Sequence, residues 1–163
     1  MTESTSSQHI ENQQEAVAHD LLEATAEDGS LKSAVLYWDH VNYEYHDSSK
    51  EGLYHNDMPE SLTLGKELKT SFTDRGIAYN LRVNYMDDGE TRSWVVVNQG
   101  EPTDQSVTAT QKITLYDSDS FYDENEDDTG EELQNNEHNF YISDEGSGEL
   151  YNVVEIELIV WRM

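Results

Sequence analysis

The sequence predicts an α+β domain in which N-terminal helices pack on an antiparallel sheet of about four strands. Three observations predict it. Apolar residues recur at helical spacing up to Gly76, they alternate with polar residues from Ile77 onward, and Asp-Asp-Gly-Glu after Met86 is a hairpin signal. Residues 1–163 read as a single domain, with 1–76 mainly helical and 77–163 a sheet interrupted by an acidic loop at 117–148.

The first helix is expected over SSQHIENQQEAVAHDLLEATAE, with Ile10, Val17, Leu21 and Ala24 on one stripe and Gln14 between the first two. Ser6 or Ser7 would cap it, and Gly29 lies just past its end. A second helix is expected from a Ser30 cap through LKSAVLYWDHV, burying Leu31, Val35 and Trp38. Residues 42–60 read as a loop. A third helix runs from Ser61 to about Arg75, with Leu64, Leu68 and Phe72 at i, i+4 spacing and Gly76 as the residue that ends it.

The period then becomes two. Ile77, Tyr79, Leu81, Val83 and Tyr85 share one face of a strand, and TRSWVVVN returns after the turn. In SVTATQKITLY, Val107, Ala109, Ile113 and Leu115 fall together with threonines opposite. Asp117 to Gly148 reads mostly as loop, with an interruption at HNFYI. In LYNVVEIELIVWRM, Val154, Ile156, Leu158 and Val160 form one face, and Ile159 and Trp161 add apolar residues to the other. A strand so apolar on both sides belongs in the middle of its sheet.

The charge bounds the environment. There are 35 acids against 9 bases, a formal net charge of −26, and no cysteine. Disulfides and thiolate metal sites are therefore excluded. The acids occur from Glu3 to Glu157 rather than in a tail. In molar salt the Debye length falls to about 3 Å, so neighbouring carboxylates barely repel. Such a coat points to an extreme halophile and to a requirement for high salt. The sequence has no stretch of about 20 apolar residues and no visible signal peptide, so the chain as given reads as soluble.

The densest acids, YDENEDDTGEELQNNE at 122–137, invite a metal reading. Asp123, Asn125 and Asp127 match the first, third and fifth positions of a calcium loop. Asp128 stands where glycine belongs and Gln134 where the bidentate glutamate belongs, so the match fails. A non-specific cation site using Asp117, Asp119, Asp123 and Asp127 is the weak remainder, and a hydrated loop is the simpler reading. Nucleic-acid mimicry needs carboxylates on a rigid face, whereas these lie in a Gly- and Asn-containing segment. The histidines, His9, His19, His40, His46, His55 and His138, form no i, i+3 or i, i+4 pair. EGSGE at 145–149 is not a nucleophile elbow, and no phosphate-binding glycine loop occurs. No cofactor and no catalytic residue is expected. Trp38, Trp94 and Trp161 read as core or interface anchors.

Several long stretches carry a resemblance. STSSQHIENQQ, AVLYW, DRGIAYNLRVNY, GEPTDQSVTATQKITLYD and LYNVVEIELIVWRM resemble a family of uncharacterised haloarchaeal cell-surface proteins. The likeness spans nearly the whole chain and is weakest in the acidic loop. Members of that family look like type IV pilins, in which a hydrophobic helix precedes the segment matching Ser4 to Gln14. Here that helix is missing, and the chain begins MTEST. The resemblance implies a pilin-like fold and a non-enzymatic extracellular domain, anchored to the membrane only through an upstream helix and acting in assembly or adhesion. Its partners would be other pilin-like subunits, met through the N-terminal helix, with Ile10, Val17 and Leu21 as the assembly or core stripe. Nucleic acid is not an expected partner. The alternative is a surface module that binds a ligand or cation through 117–148. No Asn-x-Ser/Thr acceptor occurs, so glycosylation lends no support to an exported location.

Overall fold

The computed structural model describes residues 2–46, 55–135 and 139–163, with side chains from Gln8 onward. In chain order the elements are α1 (Thr2–Asp28), α2 (Ser30–Val35), β1 (Trp38–Asp39), β2 (Glu44–Tyr45), α3 (Thr63–Ser71), a 3-10 turn (Thr73–Arg75), β3 (Ile77–Asp87), β4 (Glu90–Val97), β5 (Val107–Tyr116), β6 (Ser120–Tyr122), β7 (Asp128–Glu132), a second 3-10 turn (Leu133–Asn135) and β8 (Leu150–Arg162). Helix and sheet are mixed as the periodicity predicts, and the main sheet is four-stranded and antiparallel in the order β4-β3-β8-β5.

β8 sits between β3 and β5, as its two-sided apolar character predicts. Its register places Ile156 opposite Val83 and Gln111, and Leu158 opposite Leu81 and Ala109. Val154, Ile156, Leu158 and Val160 are all buried, while Glu155, Glu157 and Ile159 on the other face are half-buried. The β3–β4 connection is a two-residue turn between the paired Asp87 and Glu90. Asp88 and Gly89 have φ of 52° and 81°. Both values are positive, as a type I′ hairpin turn requires.

One face of the sheet belongs to a core shared with Ala18, Leu21 and Leu22 of α1, Leu31 and Val35 of α2, and Leu64 and Leu68 of α3. Burying a leucine of this kind stabilises the fold by roughly 1.5–3 kcal/mol. α1 contacts β5, α2, β8 and α3. In α3, Gly65 is required by packing: a Cβ there would lie 1.9 Å from the Pro59 carbonyl oxygen. Gly76 ends the turn after α3 with φ of 71°, as expected for the residue past that helix. Ala78 and Trp161 are register partners that are buried outside the main core cluster. They lie at the end of the sheet where the Asn80 carboxamide donates to the Gly100 carbonyl at 2.9 Å and accepts from the Gln99 amide at 2.7 Å.

Several boundaries differ from expectation. α1 starts at Thr2, so Ser6 and Ser7 lie within it rather than capping it. α2 ends at Val35, and Trp38 is in β1. The Asp39 carboxylate explains the stop: Oδ1 accepts the amides of Val41 and Asn42 at 2.9 and 3.0 Å, a turn that competes with helix continuation. Leu31, Val35 and Trp38 are nonetheless all buried. Part of the expected 42–60 loop is β2, and 47–54 lies outside the described residues.

The largest correction concerns 117–148. It holds the β6–β7 hairpin and four core residues, Phe121, Leu133, Tyr141 and Ile142. Three carbonyls at the C-terminal end of α2 accept hydrogen bonds from distant segments. The Tyr45 hydroxyl donates to Ala34 at 2.5 Å, the Tyr141 hydroxyl to Val35 at 2.8 Å and the Tyr122 amide to Leu36 at 2.9 Å. A helix end leaves carbonyls without i+4 partners, so the bonds from Tyr122 and Tyr141 fasten the acidic segment to the end of α2, and the bond from Tyr45 fastens β2 there.

Candidate functional site

Of the four acids singled out as weak cation ligands, Asp123 and Asp127 share one hairpin tip, while Asp117 and Asp119 have other partners and surroundings. Asp123 and Asp127 bracket the tip of the β6–β7 hairpin. The Asp123 carboxylate accepts the Asn125 and Asp127 amides at 2.8 and 3.0 Å. Asp119 pairs with Lys32 at 2.7 Å and accepts the Tyr116 amide at 2.7 Å. Asp117 is half-buried, and its Oδ1 is covered and has no hydrogen-bond partner among the described residues. Burial of this carboxyl, with Asp144 and Glu149 nearby, raises its pKa above the ordinary value. Among the described residues, the one group of three metal-type donor atoms within 4.8 Å is His19, Asp20 and Glu23, all exposed on α1. It contains none of the four.

One acid in the run has a role the sequence reading missed. Glu126, held at φ of 63°, reaches the first turn of α3. Its carboxylate accepts the Thr63 amide at 2.9 Å and the Thr63 hydroxyl at 2.7 Å. A carboxylate at a helix N-terminus meets an unpaired amide and the positive end of the helix dipole. No local capping pattern marks it, because the cap comes from a segment far along the chain.

The aromatic residues form a packed network. Tyr141 stacks on Trp94 with centroids 4.8 Å apart and meets Phe140 edge-on at 4.7 Å, and Trp38 approaches both Phe140 and Tyr141 at 5.8 Å. Trp38 and Trp94 thus pack in the core. Burial also raises the Tyr45 and Tyr141 hydroxyl pKa values well above the ordinary range. Of the histidines, His55 is buried beside Tyr45, His40 stacks on Phe121, and His46 packs on Tyr37. His9 and His19 are exposed, and His138 lies outside the described residues.

The proposed assembly stripe divides. Leu21 is in the core, whereas Val17 is 37% exposed and Ile10 is half-buried. The buried side of α1 is Gln14, Ala18, Leu21, Leu22 and Thr25, rotated away from the expected stripe. Ile10 and Val17 instead line a groove of about 500 Å³ between α1, the end of α3 and the sheet, together with Gln14, Phe72, Arg75, Ile77 and Arg162. A neighbouring hollow of about 390 Å³ shares Ile10, Gln14 and Arg162 and adds Glu11, Asp104 and Gln105. The Met163 amide donates to the Gly76 carbonyl at 3.2 Å, tying the end of β8 to the turn that bears Arg75. Arg75 and Arg162 were not singled out by the sequence reading. Their scarcity in so acidic a chain was the available signal, but their convergence depends on strand pairing.

No helix among the described residues is long and apolar enough to cross a membrane. No curated protein and no solved structure matches this chain. A family model, described as a family of unknown function (DUF7288), matches residues 1–160. With nearly its whole length matched, the chain belongs to that family.

Proposed function

We propose that this chain is the extracellular, non-enzymatic domain of a pilin-like surface protein of an extremely halophilic archaeon, acting in assembly or adhesion through α1. The observation that carries the reading is the way α1 is anchored. Among the described side chains of α1, which start at Gln8, the buried ones begin at Gln14, while the helix itself begins at Thr2, about 18 Å earlier at the α-helical rise. Among the described side chains before Gln14, Ile10 and Glu11 are half-buried and the others exposed. A helix whose described buried side chains lie toward its rear leaves its front, with the half-buried Ile10, to other subunits, and the exposed Val17 adds a contact point further along. The four-stranded antiparallel sheet beside it fits a pilin-like layout.

The acidic coat fits the same setting, since molar salt screens the self-repulsion of a −26 chain. A binding module built on 117–148 has less support, because Asp119, Asp123 and Glu126 are engaged in holding the fold. The test is the gene sequence upstream of Met1. The proposal expects it to encode an apolar helix of membrane-spanning length preceded by a prepilin-peptidase site. An ordinary translation start at Met1, with no such segment, defeats it.

A further inference from the structure

We propose that the groove beside α1 binds a small amphiphilic carboxylate: an organic acid with one anionic group and an apolar body. Two independent observations converge there. The first is two guanidinium groups that no described carboxylate pairs. Arg82 and Arg92 form ion pairs with Glu157, Asp87 and Glu90, but no carboxylate of a described residue lies within 4.0 Å of Arg75 or Arg162. Both line this groove. The second is Gln14. It is 7% exposed, its carboxamide makes no hydrogen bond to another described residue, and it lines both the groove and the adjoining hollow.

The chemistry follows from these groups. A planar guanidinium matches the two oxygens of a carboxylate, and the Gln14 carboxamide supplies a further donor. Val17, Phe72 and Ile77 form apolar walls for the rest of the ligand. The volume of about 500 Å³ is that of a small-molecule site. A single negative charge is favoured over several, because the net charge is −26 and Glu11 and Asp104 lie in the adjoining hollow. The inference does not rest on the assembly reading, although a ligand and a neighbouring subunit would compete for Ile10 and Val17; binding is read on the isolated chain, and the upstream gene sequence has no bearing on it.

The test is an NMR titration of the ¹⁵N-labelled chain in molar KCl with phenylpropionate. Phenylpropanol, phenylpropylammonium and inorganic phosphate serve as controls. Saturable shifts are expected at Gln14, Val17, Arg75 and Ile77. The double variant R75Q/R162Q, altered at two exposed side chains, should bind roughly tenfold more weakly while its remaining spectrum is unchanged. Q14L should also weaken binding, and neither the alcohol nor the ammonium should saturate. The proposal is overturned by non-saturating shifts, by equal binding of the alcohol, or by full affinity in R75Q/R162Q. It is equally overturned if phosphate saturates the same amides as tightly, or if sedimentation shows a second copy of the chain filling the groove.

Discussion

Replacing Tyr141 tests whether the acidic segment is part of the core. Its hydroxyl donates to the Val35 carbonyl at 2.8 Å in a buried setting. Tyr141→Phe keeps the ring and removes the donor, leaving that carbonyl at the end of α2 without this partner. A buried polar group left unpaired costs about 1–3 kcal/mol. Tyr141→Leu also removes the stacking on Trp94 and the edge contact with Phe140. Each aromatic pair contributes ~0.5–1.5 kcal/mol beyond area burial, so the total loss should reach roughly 2–6 kcal/mol. Urea unfolding in molar KCl, followed by tryptophan fluorescence, reads both. The expected order is wild type, then Phe, then Leu, with unchanged denaturant slopes. If both variants fall within about 0.5 kcal/mol of wild type, the range of an ordinary surface substitution, the docking of 139–142 against α2 is refuted.

Three further outcomes follow. Glu126→Ala should destabilise the fold by about 1–2 kcal/mol through loss of the α3 cap, with Glu126→Gln less affected, both measured by the same urea titration. For Asp117 the folded pKa lies above 3.8. The folded state then binds more protons than the unfolded state between the two values, and stability falls as pH rises through that window. Asp117→Asn should therefore raise the melting temperature at neutral pH, and the gain should shrink as pH falls toward 3.8; an advantage that does not vary with pH would refute this origin. Finally, circular dichroism should show cooperative folding in molar KCl and loss of structure near zero salt, and a salt-independent melting temperature would refute the halophilic reading.

The strands were legible because their alternation is long and unambiguous, from Ile77 to Met86 and from Val154 to Trp161. The hairpin turn and Gly76 were legible because positive φ leaves few choices of residue. The face of α1 was not. Gln14, Ala18 and Thr25 are buried, but only small or polar residues mark them, while the more apolar Val17 stays exposed. Local hydrophobicity therefore points to a stripe offset from the one that packing selects. The core residues of 117–148 were hidden for a different reason. β6 has three residues, too few to show a period, and Phe121 and Tyr141 lie in apolar runs of two and three residues bounded by polar and acidic ones. Arg75 and Arg162 are far apart along the chain, and only the pairing of β3 with β8 brings them to one groove.

The place of β8 has a consequence for how the molecule is made. Both of its neighbours, β3 and β5, are synthesised before it, and Ile77 must wait for Arg162. Until β8 leaves the ribosome, the β3–β4 hairpin and β5 have no shared strand between them. Such long-range closure folds slowly, and the half-made sheet is exposed to wrong pairings throughout translation. Removing Val160 to Arg162 from β8 would take away its pairs with Tyr79, Ala78 and Ile77 and two buried side chains, Val160 and Trp161.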